Sequence, residues 1–263
     1  MENQQRLAQG GKKRFTLQDL KPLQPLTLNQ KKFVEAYNDG TGVLFQLGQA
    51  GCGKTSLSLS EAFKEVLNPK SPYEKIIIVR SAVQGRQIGH LPGELEEKAA
   101  AYELPYIDIC KEIFKYNDPY MNLKAVGLVE FTLSTFLRGC NFVNAIVIVD
   151  ECQNLDFEEI DTIYTRIKES SKIIFCGDGK QTDLHRYRQT SGLSQFVNIF
   201  ECMHQFEDEF NDHSNKLHHY NFDTDYNYQP QKSDYAVITY EPRDCLRNPM
   251  VRKYLIAKHL MGL

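Results

Sequence analysis

The stretch Gly48-Gln49-Ala50-Gly51-Cys52-Gly53-Lys54-Thr55 constrains this chain more than any other. It fits GxxxxGK[ST], a phosphate-binding loop, and the pattern has meaning only between a strand and a helix. Glycines let the backbone turn tightly and approach a polyphosphate. Successive N–H groups then point at the phosphate oxygens, and the following helix offers its positive end. Both flanks have the required character. Val43-Leu44-Phe45-Gln46-Leu47 reads as a buried strand. Ser56 to Leu67 carries Leu57, Leu59, Ala62, Phe63, Val66 and Leu67 near helical spacing. Gly48 to Ser56 are therefore candidate nucleotide-binding residues, with Lys54 bridging the outer phosphates and the Thr55 hydroxyl on Mg²⁺. The plainer alternative is a glycine-rich turn that binds nothing.

Two further apolar strands end in chemistry that suits this loop. Ala145-Ile146-Val147-Ile148-Val149 runs into Asp150-Glu151. Asp150 is the candidate metal ligand, directly or through water, and Glu151 the candidate general base for an attacking water. Lys172-Ile173-Ile174-Phe175-Cys176 empties into Gly177-Asp178-Gly179-Lys180-Gln181. The neutral amide of Gln181 could bond the γ-phosphate or the attacking water. A fourth apolar run, Ile76 to Val79, ends in Arg80, and Arg86 and His90 follow it. Ligands of open α/β sheets bind outside the carboxyl ends of strands, so these cations leave on the functional side.

The rest of the chain is less specific. Its 263 residues suit one α/β domain with embellishments. A net charge of −3 gives no global field toward nucleic acid, though a local basic groove remains compatible with it. Seven cysteines stand singly without CxxC spacing, the pattern of reduced thiols in a cytoplasmic protein. No apolar run reaches membrane length, so no membrane association is expected. Residues 1–25 read as a loose arm, and 26–263 as a single domain. Gln30, eighteen residues before Gly48, could read an adenine edge with its amide. A helix over 96–116 should break near Pro105. His185-Arg186-Tyr187-Arg188 resembles a small single-strand contact. Residues 207–233, acidic and poor in aliphatics, read as a long loop. The Asp223-Thr224-Asp225-Tyr226-Asn227 run lacks the glycine of a calcium loop.

The blocks in this order resemble the PhoH-like family of P-loop ATPases. The match lies in Asn29-Gln30, the glycine-rich loop, Gly89–Tyr102, Arg138–Asn144, Ile148–Asn154, Thr165–Ile167, Gly177–Leu184 and Ser191–Leu193, with a closing segment from Asp244 to Val251. Residues 204–234 stand as an insertion without an alignable counterpart. The family core looks like the first motor domain of superfamily-one helicases. The resemblance implies a P-loop NTPase three-layer sandwich with a mostly parallel, RecA-like sheet. An extra strand beside the P-loop strand would set Gln181 near the γ-phosphate. It also implies ATP and Mg²⁺ as ligands, hydrolysis of ATP, and action on RNA or single-stranded DNA. A nuclease domain of the PIN type, present in some relatives, is not expected in this chain. With no second motor domain in the chain, a neighbouring subunit would lend the arginine that the transition state needs. Arg138, Arg166 and Arg247 are the candidates, Arg166 and Arg247 foremost, and a homo-oligomer such as a hexameric ring follows. The competing expectation is a nucleotide-gated switch that binds a protein partner through its acidic loop and has no motor activity.

Overall fold

The computed structural model describes residues 15–21, 23–81, 95–137, 141–168, 170–178, 192–212, 235–246 and 248–261, with the backbone alone for 95–99 and 204–212. Among the site candidates, Gln181 and Arg247 lie outside the described residues, as do Arg86, His90, Arg138 and the 185–188 run.

Six strands form one sheet: β1 (Val43–Leu47), β2 (Lys75–Arg80), β3 (Val129–Leu133), β4 (Ala145–Asp150), β5 (Lys172–Gly177) and β6 (Tyr235–Thr239). Their order is β3-β2-β4-β5-β1-β6, and every pairing is parallel. The expected α/β architecture is thus the observed one. β5 is the extra strand, lying between β1 with its glycine-rich loop and β4 with its acidic end.

The central strands are apolar on both faces because helices cover both faces. Side chains alternate as the pleat requires. Leu44, Ile76, Ile78, Ile146, Ile148 and Ile174 point into one core. That core is closed by α1 (Leu28–Asn38), α2 (Lys54–Val66), α3 (Leu95–Ile113), α4 (Pro119–Ala125) and Leu255 of α7 (Pro249–Leu260). Phe45, Ile77, Val79, Val147, Val149, Ile173 and Phe175 point the other way, toward α5 (Phe157–Tyr164) and α6 (Leu193–Asp212). Aromatic rings fill this second core. Phe45 stacks on Phe175 at 5.0 Å, and Phe196 of α6 meets Phe175 edge-on at 5.4 Å.

Four features differ from the sequence reading. α3 continues through Pro105. Proline removes one backbone bond there, but Tyr106, Cys110 and Ile113 are buried beyond it and hold the next turns on the sheet. α4 has no counterpart in the reading. Asp118-Pro119 is its start, with proline at the first helical position, and Tyr120 and Leu123 anchor it. α6 extends to Asp212, so the first part of the expected acidic loop is helix. Phe206 and Phe210 continue the three-to-four spacing of Phe196, Phe200 and Met203.

The fourth difference concerns the expected loose arm. Residues 15–21 are held against the end of α3. Phe15 is buried edge-on to Phe114 at 5.6 Å, Leu20 bridges Phe114, and Lys21 N–H donates to the Ile113 carbonyl at 2.6 Å.

Phe196→Ala would open a cavity between the stacked rings and α6. A loss of about 3–5 kcal/mol is expected for such a truncation. Equilibrium urea unfolding of the full chain measures it.

Candidate nucleotide site

Parallel register brings three strand ends level. Leu47 pairs with Gly177 and Asp150 with Cys176. The loops after β1, β4 and β5 therefore leave from one line. Gly48 N–H donates to the Gly177 carbonyl at 3.0 Å, which fixes the start of the glycine-rich loop on β5. Gly48 has to be glycine. Its φ is +154°, and a Cβ would stand 2.6 Å from the Tyr240 Cβ. Gly53 has φ +79° and caps α2, whose first residues are Lys54, Thr55 and Ser56. The first N–H groups of a helix have no acceptor within it. They open toward the loop as an anion-binding cradle.

The candidate side chains gather here. Lys54 Nζ donates to the Gly48 and Gln49 carbonyls at 2.5 and 3.0 Å, folded back over its own loop. Thr55 Oγ1 donates to Asp150 Oδ1 at 2.8 Å. This bond spans two strand spacings, crossing over the end of β5. The Asp150 carboxylate is buried. Its second oxygen, Oδ2, accepts from the Tyr106 hydroxyl of α3 at 2.9 Å. Burial, with Asp150 beside it, pushes the Tyr106 phenol well above its ordinary pKa. Burial works against the Arg80 charge, but Tyr106, Asp150 and Glu151 outweigh it and shift its pKa upward.

Glu151 follows with φ +53° and ψ 38°, a left-handed backbone that is uncommon for this residue type. Its carboxylate Oε2 accepts from Gln153 Nε2 at 2.6 Å. The other end of the same amide, Gln153 Oε1, accepts from Asp178 N–H at 3.0 Å. One buried glutamine thus ties the base candidate to the loop leaving β5, the loop that leads to Gln181. Gly177 makes room for it. A Cβ there would lie 2.5 Å from Cys152 Sγ and 3.0 Å from Gln153 Oε1.

Gln30 has a task different from the expected one. Its Oε1 accepts from Leu26 and Thr27 N–H at 2.7 and 3.3 Å, and its Nε2 donates to the Cys52 carbonyl at 3.0 Å. The amide joins the cap of α1 to the glycine-rich loop. Reading an adenine edge would cost it these bonds. Gln46 plays a similar part beneath the loop. It is buried on β1, donates to Ser58 Oγ at 2.5 Å and accepts from the Tyr240 hydroxyl at 2.7 Å. Gln49 Oε1 is buried with no hydrogen-bond partner, leaving a bare acceptor in the loop itself. Ala50 is exposed, and Gly51, which has φ +90°, and Ser56 are partly so. Cys52 is buried, which raises its thiol to about 11.

Arg166 is elsewhere. It follows α5, and its carbonyl accepts from Phe142 N–H at 2.9 Å, just before β4 begins. It therefore lies at the amino edge of the sheet, opposite the glycine-rich loop, and cannot reach a nucleotide bound by its own chain.

The oxygen donors fit one kind of metal. Thr55 and Asp150 offer a hydroxyl and a carboxylate side by side. Among the described residues no cluster of three or more His, Cys, Asp or Glu forms a closed metal cage. Mg²⁺ suits such a partial set, since it is commonly held by one or two carboxylates together with phosphates and water. Sequence reasoning missed Tyr106, Gln46 and Gln153. Gln153 lay inside the Ile148–Asn154 block and was visible as a motif member. Gln46 and Tyr106 had no signal, because each acts through a partner far away in the chain.

A family model described as "PhoH-like protein" matches residues 22–217. The chain is 35% identical over 184 residues to a PhoH-like protein of Mycobacterium tuberculosis, covering 69% of this chain and 50% of that one. It is 34% identical over 161 residues to protein PhoH of Escherichia coli, covering 60% of this chain and 45% of the relative. Protein PhoH2 of Bacillus subtilis is 34% identical over 161 residues, covering 59% and 36%. The chain spans about half the length, or less, of these curated relatives. The six-stranded parallel sheet, the glycine-rich loop at its carboxyl edge and a family match over most of the sequence agree: this chain belongs to the PhoH-like protein family, with a P-loop for nucleotide binding.

Proposed function

We propose that this protein is a cytoplasmic Mg²⁺-dependent ATPase that works on RNA or single-stranded DNA as a helicase-like oligomeric motor. The observation that carries the reading is the Thr55–Asp150 hydrogen bond at 2.8 Å. It puts the metal-binding hydroxyl of the P-loop against a carboxylate from a different strand.

On this reading Lys54 leaves the Gly48 and Gln49 carbonyls and bonds the β- and γ-phosphate oxygens. Thr55 and Asp150 hold Mg²⁺, which supplies charge neutralisation on the phosphates. Glu151 accepts a proton from a water as its oxygen bonds to the γ-phosphorus, and the bond to the β–γ bridging oxygen breaks. Gln153 keeps the Glu151 carboxylate in place, and Gln181 senses the γ-phosphate. The developing charge needs a further cation, which can lower the barrier by about 4–7 kcal/mol. Arg166, on the far edge, and Arg247 are proposed to serve a neighbour's nucleotide. α7 supports an assembly. Met250 is 73% and Tyr254 65% exposed on it, and Leu246 N–H, just before it, bonds the Gly51 carbonyl at 3.4 Å. An apolar surface is thus attached to the loop that would respond to nucleotide. Six cysteines with no disulfide among the described residues favour a reducing compartment.

Five outcomes are expected. Lys54→Ala abolishes tight binding of a fluorescent ATP analogue. Glu151→Gln binds the analogue normally and loses turnover by about a hundredfold or more, and Gln153→Ala loses about ten- to a hundredfold through misplacement of the base. Phosphate-release kinetics measure both, and normal hydrolysis by Glu151→Gln would remove its assigned role. Oligo-rU or oligo-dT raises the ATPase rate of the wild-type chain, and sedimentation shows an oligomer with ATP. Indifference to both oligonucleotides favours the protein-binding switch instead, and a fully active monomer excludes a borrowed arginine.

A further inference from the structure

The Asp150 carboxylate is gripped at both oxygens, and only one grip comes from the P-loop. Thr55 holds Oδ1 at 2.8 Å, and Tyr106 holds Oδ2 at 2.9 Å. Resting on the ATPase reading above, we infer that Tyr106 is a positioning residue that sets the orientation of Asp150 for Mg²⁺.

Tyr106 is suited to hold still. Its side chain is fully buried, and its ring lies 5.8 Å from that of Phe131 on β3. Its hydroxyl donates to Oδ2 from within that packing. Behind it stands Arg80, at the end of β2. Arg80 is itself fixed by α3, through the Tyr102 carbonyl at 3.3 Å and the Tyr102 ring at 5.7 Å. The carboxylate is thus held from two sides, by the phenol on Oδ2 and by the Thr55 hydroxyl on Oδ1.

The two grips lie on different oxygens. Thr55 donates its proton to Oδ1, and its hydroxyl still has lone pairs that would face a cation. Tyr106 ties Oδ2 on the side away from the P-loop, and with both oxygens held the plane of the carboxylate is fixed. Without the phenol, Asp150 could rotate about its Cβ–Cγ bond, and Oδ2 would be left as a buried acceptor. Groups that orient a metal ligand from behind commonly change metal affinity by about ten- to a hundredfold.

The test uses Mn²⁺, detected by electron paramagnetic resonance, with the full-length chain and ADP. Tyr106→Phe and Tyr106→Met both lack the hydroxyl while keeping an apolar side chain. Each is expected to weaken Mn²⁺ binding to the protein–ADP complex by about tenfold, and to leave ADP affinity in EDTA within about twofold of wild type. Phe131→Leu loosens the packing of the Tyr106 ring but keeps its hydroxyl. It is expected to lower the melting temperature without moving Mn²⁺ affinity. Wild-type Mn²⁺ affinity in whichever Tyr106 variant folds overturns the inference. So does an equal loss in Phe131→Leu, which would make packing the cause. If the wild-type chain itself holds Mn²⁺ no better than free ADP does, the ATPase reading falls first, and that result is distinct from either.

Discussion

Two oxygen atoms meet above a strand to which neither belongs. The Thr55 hydroxyl stands in the first turn of α2, the Asp150 carboxylate ends β4, and β5 runs between β1 and β4. Adjacent strands are about 4.8 Å apart, so the gap spanned is roughly 10 Å at the backbone. It can be closed only because all three strands are parallel and finish level, and because β5 ends in Cys176-Gly177, which adds little bulk. A one-residue slip of β4 against β5 would turn Asp150 to the other face of the sheet. Such a slip would also exchange Ile146 and Ile148 in one core with Val147 and Val149 in the other.

Glutamines do much of the holding around the site. Gln30, Gln46 and Gln153 are each buried, and each uses both ends of its amide to join separate segments. A neutral amide donates and accepts at once. It can therefore brace a loop without adding charge beside a polyphosphate. The cost of burying such a group is offset when its hydrogen bonds are made. Asp244 shows the charged version at the rim. Burial alone would raise its carboxyl, but bonds from Glu241 N–H and the Asn29 amide hold it below the usual range. That contact fastens the segment before α7 to α1.

α3 joins features that are remote in the chain. Its middle supplies Tyr106 to the Asp150 carboxylate, and its end receives residues 15–21. The buried cation on the other side of the molecule has a purely structural setting. Lys172 donates to the Tyr37 carbonyl at 2.9 Å and lies 3.8 Å from the centre of the Tyr37 ring. It closes the end of α1 onto the start of β5, at the edge of the sheet away from the nucleotide loop.

Much of this molecule was legible in its residues. Four apolar runs marked β1, β2, β4 and β5 closely, since a strand buried on both faces has to be apolar along its length. The glycine-rich loop was legible because cradling phosphate demands those residue types at fixed local spacing, and the Asp150-Glu151 pair stands where the sequence reading put it, at the end of β4. Local rules failed where distant packing overruled them, at the helix that passes through Pro105 and at residues 15–21, which dock on α3. Gln30, expected at an adenine edge, has backbone groups as its partners. Tyr106 and Gln46 were silent, as a tyrosine in a helix or a glutamine in a strand carries no mark of what lies opposite. Sequence by itself determined which groups this protein owns for binding a nucleotide. Only the tertiary structure decided which of them touch, because a hydrogen bond between residues 44 or 95 positions apart exists solely through the strand order that brings them within 3 Å.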